Sequence, residues 1–179
     1  MGDHLHVVTG GPGSGKSSLI EALARRGIGV MPEAGRAIIR DQAMIGGSAL
    51  PWRDRALFAE LMLAWELRSH GEAARLDRPV AMDRGVPDVL GYLTLCGLPV
   101  PAHVAEAARL FRYNRRVFLA PWWDAIYVQD DERRQDRREA EATGRVMAKT
   151  YARLGYDIVA LPLAGIEARA DFVLSQLTA

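Results

Sequence analysis

The 179 residues are expected to form an α/β fold: five short parallel strands in one sheet, with helices on both faces. Three observations lead there. Short apolar runs alternate with segments of helical period along the whole chain, and parallel strands need such crossovers to pair. The apolar runs lack strict alternation, as strands do when both faces of their sheet are covered. The first run passes through a glycine-rich turn directly into an amphipathic helical segment.

The elements follow in order. "HLHVVTG" reads as the first strand, and "KSSLIEALARRG" as a helix stopped at Gly27. "IGVMPE" is a second strand and "AGRAIIRDQAM" a second helix, closed by the break "GGSALPW". The longest helical stretch is "RDRALFAELMLAWELRSHGEAARL", with Leu57, Leu61, Ala64 and Trp65 on one face. "PVAMD" is the third strand; "VPDVLGYLTLCG" and "PAHVAEAARLFRY" are helices around the turn "LPVP". "RVFLAP" is the fourth strand. After an arginine-rich segment, "EAEATGRVMAKTYARLG" places Val146, Met147, Thr150, Tyr151 and Leu154 at helical spacing. "YDIVALP" is the fifth strand and "GIEARADFVLSQL" the last helix, with Ile166, Ala170, Val173, Leu174 and Leu177 inward. No repeat or linker interrupts the series, so residues 1–179 read as a single domain.

Composition narrows the function classes. With 23 basic and 22 acidic residues the net charge is +1, which supports neither a nucleic-acid nor a membrane-surface role. The single cysteine, Cys96, lies among apolar neighbours and reads as a small buried side chain. No signal peptide or membrane-length apolar run is seen, and a cytoplasmic location is expected.

"GGPGSGKS" satisfies G-x-x-x-x-G-K-[ST] between a strand and a helix. Gly11, Gly13 and Gly15 can take positive φ, so that backbone N–H groups converge on phosphate oxygens. The whole stretch Gly10, Gly11, Pro12, Gly13, Ser14, Gly15, Lys16, Ser17 and Ser18 is therefore assigned to nucleotide binding. Lys16 neutralises the β and γ phosphates of ATP, the Ser17 hydroxyl ligates Mg²⁺, and the helix adds its positive end.

Ligands of an open parallel sheet sit beyond the carboxyl ends of its strands. Charged residues stand there: Glu33 and Arg36 after the second strand, Asp83 and Arg84 after the third. Asp83 is placed to complete the Mg²⁺ site with Ser17, and either Asp83 or Glu33 is placed to orient the nucleophile. Glu33 can take a proton from an attacking hydroxyl, join the metal shell, or simply stabilise a helix N-terminus. Arg36 and Arg84 either hold a substrate anion or pair with Glu33 and Asp83. Trp52, Trp65 and Tyr92 are candidates to stack on a substrate ring, with core packing the plainer role.

"APWWDAIYVQDDERRQDRR" follows the fourth strand. Its charges nearly cancel, and pairs such as Asp130–Arg134 suit a solvated helix. Trp122 and Trp123 at its start argue for a covering role. Residues 122–138 are therefore expected to form a lid that excludes water, with Arg133 or Arg134 on the transferring phosphoryl group.

"GGPGSGKSSL", "PEAGRAIIRDQ", "DRGVPDVLGYL", "WWDAIYVQDDERRQD" and "GYDIVALP" resemble, in order, the AAA-28 family of small P-loop ATPase or kinase domains. That group includes a nicotinamide riboside kinase domain. The resemblance implies a nucleoside/nucleotide-kinase core with strand order 2-3-1-4-5 and a lid after strand four. It favours Glu33 as the base, with Trp122, Trp123, Asp131 and Arg133 in the lid. It does not extend to the substrate, because the lid spacing differs and the adenylyltransferase domain of the bifunctional relative has no counterpart.

The expected function is thus an ATP- and Mg²⁺-dependent kinase acting on a small hydroxyl or phosphate acceptor. The alternatives are an ATPase or nucleotide switch acting on a protein partner, and a binding module without turnover. A guanine switch is disfavoured, since no N-K-x-D or T-K-x-D follows the fourth strand.

Overall fold

A computed structural model describes residues 2–123 and 137–177. Its strands are β1 (Leu5–Gly10), β2 (Gly29–Met31), β3 (Val80–Asp83), β4 (Arg116–Ala120) and β5 (Asp157–Ala160). Its helices are α1 (Lys16–Arg25), α2 (Ala34–Ile45), α3 (Arg55–Ala73), α4 (Val86–Leu95), α5 (Ala102–Leu110), α6 (Arg137–Arg153) and α7 (Ile166–Leu177). The five strands pair in parallel in the order β2-β3-β1-β4-β5. This is the expected fold and the expected order.

Successive residues of each strand feed opposite layers, as the period of two requires. Leu5 and Val7 of β1, Val80 and Met82 of β3 and Val117 of β4 join the core under α3, α4, α5 and α6. Val8, Ala81 and Phe118 join the other core, under α1 and α7. The central strand β1 is buried along its whole length, His6 and Thr9 included, which explains why its apolar residues do not alternate strictly. Register aligns the strand ends: Val8 pairs with both Asp83 and Phe118, and Gly10 with Ala120. The carboxyl ends of β1, β3 and β4 therefore form one rim.

Several local expectations need correction. β2 is only Gly29–Met31, because Pro32 cannot donate to a ladder and the chain turns into α2 at Ala34. In α3 the inward face carries Phe58, Leu63, Glu66 and Ser69, while Leu57 is 41% exposed and Ala64 faces solvent. The helix packs on α4 and β2, with Glu66 within electrostatic reach of Asp88, Arg84, Asp83 and Glu33. α5 stops at Leu110, and Tyr113 belongs instead to the core leading into β4. Cys96 caps α4 and is only partly buried. Of the residues expected inward on α7, Ala170 and Val173 are buried, joined by Arg169.

Candidate active site

β1 ends at Gly10, and the loop delivers the chain into α1 at Lys16. Gly13 (φ 74°) and Gly15 (φ 78°) lie in the left-handed region, where a side chain is strained. Gly11, expected to share that conformation, does not. Its constraint is steric: a Cβ there would collide with the Ala140 carbonyl oxygen of α6. The first turn of α1 holds no acidic residue, so its positive end is unopposed.

Lys16 is buried, with Nζ donating to Gly11 O at 2.7 Å and to Ser14 Oγ at 3.3 Å. Burial, then repulsion from Arg84, lowers its pKa to about 8, against the opposing pull of Asp83, Glu33 and Asp88. Ser14 is fully buried and donates to Gly11 O at 2.8 Å. Ser17 Oγ is 3.5 Å from Asp83 Oδ2, while Ser18 points to solvent.

Asp83 closes β3 and is 4% exposed. Its Oδ1 is sealed from solvent and has no hydrogen-bond partner among the described residues. Burial raises its pKa against the attraction of Lys16. A carboxylate with one oxygen orphaned beside a serine hydroxyl fits a hard divalent cation. No cluster of three or more His, Cys, Asp or Glu able to hold a metal exists among the described residues.

Arg84 joins three elements. Its Nε donates to Glu33 Oε1 at 3.0 Å, at the start of α2. Its Nη1 donates to Gly10 O at 3.1 Å and to Asp88 Oδ1 at 3.2 Å. Of the two acids expected as possible partners, Arg84 pairs with Glu33 and not with Asp83; its second carboxylate is Asp88. Arg84 is also the only non-glycine residue with positive φ, at 80°, among the described residues. Such a conformation costs on the order of 1–2 kcal/mol, and the three contacts hold it in place.

Glu33 also faces Arg36, whose Nε is 3.6 Å from Oε2. Burial alone would raise the Glu33 pKa, but Arg84, Lys16 and Arg36 together hold it below the ordinary value. Arg36 itself is largely exposed.

The sequence reading missed Asp88, at the third position of α4. It accepts from Thr9 Oγ1 at 2.6 Å and Tyr151 Oη at 2.6 Å, as well as from Arg84 and the Gly85 N–H at 3.1 Å. The only signal was an acid three residues past Gly85, a helix-start pattern. Arg169 was missed too. From α7 it donates through Nη1 to Ser14 O at 2.9 Å and through Nε to Pro162 O at 2.9 Å, bracing the loop from behind. Its guanidinium lies 5.6 Å from the Trp123 ring centre. Residues 124–136 of the expected lid, with Arg133 and Arg134, lie outside the described residues, and its last two positions, Arg137 and Arg138, begin α6. Trp52 is 68% exposed, whereas Trp65 and Tyr92 pack on a cluster of Ala34, Ile38 and Phe58.

A family model described as an AAA domain, AAA_28, matches residues 5–169. No curated protein matches the chain by sequence. Among solved structures, a deoxyadenosine kinase from M. mycoides with products dCMP and a flexible dCDP is similar at a TM-score of 0.69 and 11% identity, covering 97% of this chain and 98% of that one. NadR protein in complex with NR gives 0.64 at 15% identity, covering 96% of this chain and 49% of that one. Shikimate kinase from Acinetobacter baumannii with shikimate gives 0.56 at 14% identity, covering 97% and 92%. At these identities the likeness is one of fold.

Proposed function

The chain belongs to the AAA_28 family, and from that premise we propose that it is an ATP- and magnesium-dependent kinase of small molecules. One observation carries the reading. Glu33 is held ionised by Arg84 at the end of β2, facing Lys16 and the Ser17–Asp83 pair across the strand ends. A carboxylate there can take the proton of an attacking hydroxyl, and the likeness in fold to small-molecule kinases supports an acceptor hydroxyl over water.

In this reading ATP lies with its phosphates over Gly10–Ser18 and its charge on Lys16 and the start of α1. Ser17 and Asp83 would hold magnesium, which would supply positive charge to the phosphates. Glu33 receives the proton of the acceptor hydroxyl as its oxygen forms a bond to the γ-phosphorus. The bond from that phosphorus to the β-phosphate oxygen breaks and ADP leaves. Arg84 fixes the Glu33 carboxylate, and Asp88 fixes Arg84. Arg36, exposed beside Glu33, is available to an acceptor anion, and the reading assigns Arg133 or Arg134 to the charge of the transferring group.

The experiment is an ADP-release assay on the purified protein with ATP, magnesium and a panel of hydroxylated metabolites, followed by mass spectrometry for a phosphorylated product. ADP release that no metabolite stimulates, with phosphate as the sole product, would assign an ATPase instead.

A further inference from the structure

Glu33 begins α2, yet its side chain makes no capping hydrogen bond to that helix. Its carboxylate is aimed from elsewhere. Arg84 Nε donates to Oε1 at 3.0 Å, whereas Arg36 Nε stands 3.6 Å from Oε2 and is largely exposed. Arg84 is therefore the firmer hold. Arg84 is held in turn: its Nη1 donates to Gly10 O and to Asp88 Oδ1. Asp88 is held by hydroxyls from two further elements. Thr9 of β1 donates to Oδ1 at 2.6 Å, and Tyr151 of α6 donates to Oδ2 at 2.6 Å. Both residues are fully buried, and the Tyr151 ring packs edge to face on Tyr156 at 5.4 Å, which fixes where its hydroxyl sits. Burial, then the charge of Asp88, pushes the Tyr151 phenol well above its ordinary range, so it stays a donor.

One guanidinium thus serves two carboxylates, Glu33 through Nε and Asp88 through Nη1. The two compete for it. Charge-assisted bonds from Thr9 and Tyr151, with the Gly85 N–H, satisfy much of the Asp88 charge. Without the hydroxyls Asp88 would draw Arg84 more strongly, at the expense of the bond to Glu33. The helix that carries Tyr151 also meets the phosphate loop. The Ala140 carbonyl stands against Gly11, and a Cβ on Gly144 would be 3.7 Å from the Gly11 nitrogen. α6 therefore touches the donor loop near its start and, further along, the chain of bonds that ends at Glu33.

Resting on the kinase reading, we infer that Tyr151 and Thr9 are positioning residues for Glu33: by satisfying Asp88 they keep Arg84 turned to the Glu33 carboxylate and so fix where that carboxylate meets the acceptor hydroxyl. Neither residue touches the reacting atoms. Through Tyr151 the placement of the base follows the seating of α6, the same helix that abuts the phosphate loop.

The test reads Glu33 directly, in the full chain and without turnover. Its carboxyl is titrated by carbon NMR of protein labelled at glutamate Cδ, with Glu33→Gln identifying the signal. The charged groups acting on Glu33 or acted on by it are Arg84, Lys16, Arg36, Asp83 and Glu66, and the variants alter none of them. Tyr151→Phe and Thr9→Val each remove one hydroxyl. Each should move the Glu33 titration up toward the ordinary glutamate value, because the hold of Arg84 is weakened. With an acceptor from the metabolite panel, each should also lower kcat about ten- to hundred-fold, while calorimetry returns an unchanged ATP affinity. Met147→Ala is the control: it empties a buried position of α6 packed at Gly91 and has no polar link to Asp88. It should lower the melting temperature and leave the Glu33 titration in place. An unmoved titration in both Tyr151→Phe and Thr9→Val overturns the inference, as does an equal shift in Met147→Ala. Shifts in both variants, alongside a wild type that phosphorylates no metabolite, would instead defeat the kinase reading and leave this one standing.

Discussion

Removing the Asp88 carboxylate should unsettle the site from beneath. Asp88→Ala deletes the acceptor of four hydrogen bonds at once, from Thr9, Tyr151, Gly85 N–H and Arg84. Thr9 and Tyr151 are both fully buried, so their hydroxyls lose a charge-assisted partner with no water at hand. Each such orphaned donor costs about 1–3 kcal/mol, and breaking a buried ion pair about 3–5 kcal/mol. The bonds share one acceptor, so the terms do not simply add. Arg84 also keeps Glu33 and Gly10 O as partners. A total of about 4–6 kcal/mol follows. For a chain of this length that corresponds to a fall in melting temperature of roughly 10–20 °C. Urea and thermal denaturation followed by circular dichroism would measure it. Tyr151→Phe in the same background should then cost much less than it does alone, because its partner is already gone. A loss below about 1 kcal/mol for Asp88→Ala, or full additivity with Tyr151→Phe, would refute the account of Asp88 as the shared anchor.

Glu33→Gln should lower kcat by about 10²–10⁴ while leaving ATP affinity intact. Because the Glu33 pKa is lowered in the fold, the carboxylate is ionised above that depressed value and protonated only below it. The acid limb of kcat/KM should accordingly fall below pH 4.5, the ordinary glutamate value, provided the fold survives there; a limb at or above it contradicts the assignment. Lys16→Ala should abolish ATP binding in calorimetry with the circular dichroism spectrum unchanged, and normal binding would remove the loop from the mechanism. Arg169→Met leaves the Ser14 and Pro162 carbonyls without their donor. It should destabilise by about 1–3 kcal/mol and raise KM for ATP more than it lowers kcat, which steady-state kinetics and denaturation together would show.

The parts of this site that could be read from the sequence are those that local chain geometry dictates. A strand, a glycine loop and a helix are contiguous, so "GGPGSGKS" announces itself. The acids Glu33 and Asp83 were visible because a strand's end is visible, and a parallel sheet sends all such ends to one rim. What stayed hidden depends on distance along the chain. Asp88 meets Tyr151 across 63 residues and Thr9 across 79, and Arg169 meets Ser14 across 155. No periodicity encodes such encounters. Arg84 showed the same limit: a substrate anion, Glu33 and Asp83 were all candidate partners, and from its left-handed backbone it reaches Glu33 and the unforeseen Asp88. The inward face of α3 was misjudged for a related reason. Apolar residues were assumed to mark it, whereas Glu66 and Ser69 are buried there beside Phe58 and Leu63.

The contact between Gly11 and α6 bears on how freely this protein can change by mutation. In the general motif, the position Gly11 occupies accepts any residue. Here the Ala140 carbonyl leaves no room for even a methyl group. A library randomised at position 11 should return glycine almost alone, although nothing about phosphate binding demands it. Compensation would have to come from α6 moving away, so substitutions at position 11 and around position 140 should be accepted together or not at all. The permissive half of a nucleotide-binding signature is thus, in this chain, a packing constraint between two segments more than a hundred residues apart.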